Sequence, residues 1–166
     1  MPTDFLSLFV TLNSSGSRYV VVGGLALVMH GIDRLTADVD LIVDLAPEAS
    51  RAAVQALTTA GFRPLAPVDP LEFSNATVRR AWRTARHMEV FSFWDPDNRR
   101  PTVDLFLESP VPFDELWRDA ALVELGDVSV RVASIAHLIR LKEIAGRPQD
   151  LQDIERLRTL PASSPP

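Results

Sequence analysis

The chain has 166 residues, 46% hydrophobic and 23% charged, with 17 basic against 22 acidic side chains for a net charge of −5. That is the balance of one globular domain with its own core, and it argues against a surface that coats nucleic acid by charge alone. Cysteine is absent, which removes disulfides, zinc–thiolate sites, iron–sulfur clusters and cysteine nucleophiles.

In chain order, residues 1–10 carry Asp4 instead of a basic n-region, and no apolar run approaches the roughly 20 residues of a membrane span, so a cytoplasmic protein without membrane contact is expected. Thr3 and Asp4 can cap a short helix carrying Phe5, Leu6, Phe9 and Leu12. Residues 18–22 form a β-branched run that stops at Gly23-Gly24, and residues 25–30 read as about two helical turns closed by Gly31. Residues 36–44 predict a strand with Asp38, Asp40, Ile42 and Asp44 on one face and Val39, Leu41 and Val43 on the other. A helix over 47–60 starts near Pro47 and ends at Gly61.

Residues 62–78 mix prolines with polar and apolar side chains and predict only loop and one short strand. Arg79, Arg80, Arg83 and Arg86 would share one side of a following helix and, with Arg99 and Arg100, offer a face to RNA, an acidic protein or solvent. Residues 87–94 and 101–108 flank the turn sequence Asp95-Pro96-Asp97-Asn98 and predict an antiparallel hairpin, and residues 121–125 and 128–132 predict a second one around Gly126-Asp127. Ser134 starts a helix to Ala145 with Gly146 at its end, and Pro148 opens a last helix to about residue 157. The expected organisation is a core over 1–132, a helical pair over 133–160 packed on it, and a disordered tail at 161–166.

The chemistry concentrates between Gly23 and Asp40. Two aspartates two apart on a largely buried strand point the same way and repel, so the pair calls for a cation. Oxygen-only ligands suit magnesium or manganese, which take carboxylates together with substrate phosphates. The Gly-Gly turn lets the backbone approach a phosphate closely. A third carboxylate, Asp104, sits in the apolar strand sequence Thr102-Val103-Asp104-Leu105-Phe106 and needs a metal or an arginine partner. Arg34 lies on the approach to the metal strand, where it either contacts phosphate or pairs with Asp33 or Asp44. Lys142 is the only lysine among the 17 basic residues, which suggests a need for a compact ammonium. His30, His87 and His137 lack a metal-ligand spacing and read as packing or surface residues.

The stretch Val22-Gly23-Gly24, then Arg34-Leu35-Thr36-Ala37-Asp38-Val39-Asp40-Leu41, with Asp104 on a later strand, resembles the nucleotidyltransferases of the DNA polymerase beta superfamily. Residues 134–142, Gly146-Arg147 and 150–154 look like the C-terminal helices of small bacterial members, including AbiEii-type toxin-like and minimal nucleotidyltransferases. The resemblance implies an α+β (α/β) nucleotidyltransferase fold, a small mixed sheet containing antiparallel strands, flanked by helices and followed by C-terminal helices. It implies that Asp38, Asp40 and Asp104 bind magnesium or manganese and catalyse transfer of a nucleoside monophosphate from a triphosphate. The same resemblance casts Gly23, Gly24, Arg34, Thr36 and Lys142 as nucleotide-binding residues, with Lys142 on a lid, where exchange for Arg is expected to disturb the nucleotide and spare the fold. The acceptor hydroxyl would belong to an RNA end, a protein or a small molecule, with an antitoxin protein as a candidate partner. The competing expectation is a catalytically silent nucleotide-binding or partner-binding module of the same fold.

Overall fold

The computed structural model describes residues 4–161; residues 1–3, Thr3 of the expected cap among them, and the tail at 162–166 lie outside that range. The first helix, α1 (Phe5–Ser14), is capped by Asp4, whose carboxylate accepts from Ser7 N at 3.0 Å. There follow β1 (Tyr19–Val22), α2 (Gly23–Met29), β2 (Asp38–Val43), α3 (Pro47–Thr59) and the two-residue β3 (Arg63–Pro64). A 3-10 turn (Pro70–Ser74) leads into α4 (Ala76–Ala85), then β4 (Val90–Trp94), β5 (Thr102–Phe106) and α5 (Phe113–Asp119). The chain ends in the hairpin β6 (Ala121–Leu125) and β7 (Val128–Val132) and the helices α6 (Ile135–Ala145) and α7 (Pro148–Arg158).

The strands form one mixed sheet in the order β3-β4-β5-β2-β1-β7-β6. Both hairpins read from the sequence are antiparallel pairs, β2 runs parallel to β5, and β1 is antiparallel to β2. Alternation then sorts the two faces. On one, Tyr19, Val21, Val39, Leu41, Phe91, Phe93, Val103 and Leu105 are buried. Phe9 stacks on Tyr19 at 6.0 Å, while Phe73 and Trp82 stack on Phe91 at 5.8 and 5.0 Å, so α1, the 3-10 turn and α4 cover this face. The other face is covered over Val20 and Ile42, both buried, but the residues at the start of β2 and along β5 and β4 stay half-buried or exposed. Leu138 of α6 and Leu157 of α7 belong to the same buried cluster as the strands.

The segment 62–78 has more structure than its composition predicts. Asn75 accepts from Thr77 N and Val78 N and so starts α4 inside a stretch expected to be loop. The arginine face expected on that helix is also broken up. Arg79 is buried, donating to Phe73 O at 2.6 Å and Leu107 O at 3.2 Å, and Arg83 pairs with Glu108. Arg100 is tied to buried Asp95 at 3.1 Å and lies over the Phe62 ring, so it too is committed to the fold.

Candidate active site

The open face carries the acids. In the parallel β2–β5 pair Asp40 stands opposite Asp104, and in β4–β5 Asp104 stands opposite Ser92. Directly paired residues project to the same side, so the two carboxyls are neighbours. Ser92 Oγ lies 2.6 Å from Asp104 Oδ1 and donates to it. Asp38, two residues before Asp40, shares the face and is exposed at the strand end.

On the other side of Asp40 lies the Gly-Gly turn. Val22 pairs with Asp40, and the chain then turns through Gly23 at φ +67°. A Cβ at Gly23 would overlap Asp40 Oδ2, so any other residue here would push the carboxyl aside. Gly23→Ala, with left-handed backbone strain as well, should lose about 1–3 kcal/mol of stability, measured by denaturant melting, and the displaced Asp40 should take any transfer activity with it. A side chain at Gly24 would stand 3.1 Å from Thr36 Oγ1 and 3.6 Å from Arg34 Nε, which places both predicted phosphate contacts beside the turn. The Thr36 hydroxyl meanwhile donates to Asp38 O at 3.1 Å.

Arg34 does pair with an acid, though with neither Asp33 nor Asp44. Its partner is Asp153 on α7, at 2.9 Å, while Asp44 pairs with Arg18. Lys142 reaches the same Asp153 at 2.8 Å and Asp150 at 3.3 Å, and Arg147 Nε contacts Asp150 at 2.9 Å. Three cations thus share two acids that are only 2% and 5% exposed, and the network locks α6 and α7 to the loop before β2. This corrects the expectation that Lys142 can be exchanged without effect on the fold: its side chain is 11% exposed between two buried carboxylates. Lys142, Arg147, Asp150 and Gly23 also line a cleft of about 530 Å³ between the sheet and α6, together with Phe106, Glu108 and Arg83.

Electrostatics follow from the packing. Burial, then the charges of Asp104 and Asp38, push the Asp40 carboxyl up to about 6, against the opposing pull of Arg147 and Lys142. Burial also raises Asp104, opposed by the Ser92 hydrogen bond. Two carboxyls whose ionisation is opposed first by burial and then by neighbouring carboxylates, with only hard oxygens to offer, fit magnesium or manganese in chemistry. Among the described residues no three His, Cys, Asp or Glu side chains already converge as a metal site. Asp40 Oδ2 stands against Gly23, and Asp104 Oδ1 accepts from Ser92. Ser92 was not singled out from the sequence, although a hydroxyl between Phe91 and Phe93 on a core strand is the available signal. His30 and His137 are buried, His30 against Ala133 O and His137 against the Ser134 cap.

The sequence matches no protein-family model and no curated protein. The fold does find counterparts among solved structures. A Thermotoga maritima protein, TM1012, assigned to the nucleotidyltransferases, superposes with a TM-score of 0.57 at 13% identity over 92% of this chain and 89% of its own. ANT(2'')-Ia in complex with adenylyl-2''-tobramycin gives 0.55 at 14% over 90% and 82%. An antigenic nucleotidyltransferase-like protein from Paracoccidioides brasiliensis gives 0.53 at 16% over 91% and 72%. At such identities the likeness is one of fold, and the fold is that of the nucleotidyltransferases.

Proposed function

We propose that this chain transfers a nucleoside monophosphate from a nucleoside triphosphate to an acceptor hydroxyl, with magnesium or manganese held by Asp38, Asp40 and Asp104. The observation that carries the reading is the row Ser92, Asp104, Asp40 across three strands, ended by a glycine in the left-handed region whose missing Cβ leaves room for the Asp40 carboxyl. The metal, when bound, supplies positive charge to the triphosphate and the leaving pyrophosphate. The chain's own part begins with the backbone N–H groups at Gly23 and Gly24, where no side chain caps the first turn of α2 and phosphate oxygens can accept. Arg34 and Thr36 flank that turn, and Lys142 and Arg147 face the cleft beside it. Asp104, raised by burial and oriented by Ser92, accepts the acceptor's hydroxyl proton; the oxygen bonds to the α-phosphorus, and the bond to the bridging oxygen of the pyrophosphate breaks.

The AbiEii-type subgroup, and with it a toxin role and an antitoxin partner, rests on the motif of α6 and α7 alone and is the finer part of this proposal. Among the described residues no helix is long and apolar enough to cross a membrane.

Purified protein incubated with labelled triphosphates and magnesium, with and without cell extract, should yield a labelled product. Magnesium or manganese with a triphosphate should also raise the melting temperature more than either alone, since phosphates complete the metal's coordination sphere. At a hundredfold excess over Kd the stabilisation is about 2.7 kcal/mol. Saturating nucleotide with no shift in either metal, and no labelled product, would sink the reading.

A further inference from the structure

The open sheet face continues past the acids. Leu65 N donates to Ser92 O, and Arg63 pairs with Trp94 in the short β3–β4 ladder, so Leu65, Ser92, Asp104 and Asp40 form one row across the sheet. A second row runs parallel to it: Arg63, Trp94, Thr102, Asp38. Along β4 the alternation is strict, with Phe91 and Phe93 fully buried on the far side and Ser92 and Trp94 on this one. Trp94 is 41% exposed and Leu65 69%. Among the described residues the other two tryptophans have partners: Trp82 stacks on Phe91, and Trp117 stacks on Phe113 under Arg131. The Trp94 ring has neither an aromatic nor a guanidinium partner among the described residues.

We infer that Arg63, Leu65 and Trp94 form an acceptor platform, on which the 3′-terminal base of a single-stranded RNA stacks while its hydroxyl reaches Asp104. The inference rests on the transfer reading above and names its acceptor. Trp94 sits one strand over and two residues along from Asp104, about 8 Å between Cα atoms by sheet geometry, which is the reach of a single nucleoside. It lies on the side of Asp104 away from Gly23, so a strand held there leaves the Gly-Gly turn and the cleft to the triphosphate. Exposed aromatics on an open sheet face stack bases regardless of sequence, and Arg63, exposed in the same row as Trp94, offers its charge to the phosphodiester. A polycationic acceptor would want carboxylates beyond the three at the reacting centre, and this platform offers arginine and apolar surface instead.

The test is binding of a short single-stranded oligoribonucleotide in magnesium, read by quenching of tryptophan fluorescence and by filter retention, with melting curves run on each variant. Trp94→Ala is expected to weaken RNA binding about tenfold or more, Trp94→Phe to restore most of it, and Arg63→Ala to weaken it and flatten its salt dependence by about one counterion. All three should keep the melting temperature and the shift produced by magnesium and triphosphate. In the transfer assay, Trp94→Ala should raise KM for the RNA far more than it lowers kcat. RNA affinity unchanged in Trp94→Ala overturns the platform, as does a free nucleoside monophosphate competing as well as the RNA. A second copy or a protein seated on the face, seen as association lost in Trp94→Ala with no RNA binding, overturns it too. The binding arm needs no triphosphate, so it decides the platform whatever the transfer assay gives; loss of transfer and of the nucleotide shift in the parent protein counts against the transfer reading instead.

Discussion

Asp40→Asn is expected to abolish transfer and to leave the metal-free protein as stable as the parent or more so. The exchange keeps the shape of the side chain against Gly23 but removes the charge of one of the three carboxylates on the open face. Asp40 is held at about 6 by burial first and then by the charges of Asp104 and Asp38. A carboxyl with a higher pKa folded than unfolded binds more protons in the folded state, so its stabilising contribution is full below about pH 4 and is lost as pH rises toward 6. Above that window ionised Asp40 works against the fold, by on the order of 3 kcal/mol for a shift of this size. Melting curves in chelator should therefore nearly coincide for parent and variant near pH 4 and separate up to pH 7, with the variant higher. A variant that melts lower at pH 7, or one that still transfers, contradicts the assignment.

What the sequence made legible were features with a short-range cause. Asp4 and Ser134 cap helices where their side chains accept from an N–H three residues on, and Gly126 and Gly146 take the positive φ their turns require. The period-two pattern from Asp38 to Asp44 showed which acids share a face, because strand geometry alone fixes that. That Asp104 would come to stand beside Asp40 was legible only through the family resemblance, since strand order is a long-range property. The segment 62–78 hid its structure because Phe73 and Trp82 are ordered by stacking on Phe91, on a strand further along the chain. Trp94 is visible as a residue but its exposure is not, since nothing local tells which face of β4 is left uncovered. Arg34 shows the same limit: its partner Asp153 lies 119 positions away, beyond any argument from neighbours.

Lys142 is where that limit changes an expected result. Its ammonium has three N–H donors, and the contacts to Asp150 and Asp153 engage two of them, so one remains for the cleft that Gly23 also lines. Lys142→Ala should then do two things at once. It leaves two buried carboxylates to Arg34 and Arg147 alone, at a cost of about 1–3 kcal/mol, less than for a wholly unpaired buried charge because those two arginines remain. It should also shrink the melting shift given by magnesium and triphosphate. Lys142→Arg keeps the charge but puts a planar fork into a site only 11% exposed, where a compact ammonium lies between two carboxylates. Its stability should fall between the parent and Lys142→Ala, while its nucleotide shift should fall as far as in Lys142→Ala. Arg140→Lys on the same helix is the control, since Arg140 is 53% exposed and only loosely paired with Glu115 at 3.6 Å; it should stay within about 0.5 kcal/mol of the parent. A Lys142→Arg protein with lowered stability and a full nucleotide shift would make the lysine a clamp between α6 and α7 and nothing more, and the triphosphate would then be held by the turn at Gly23 and its neighbours without it.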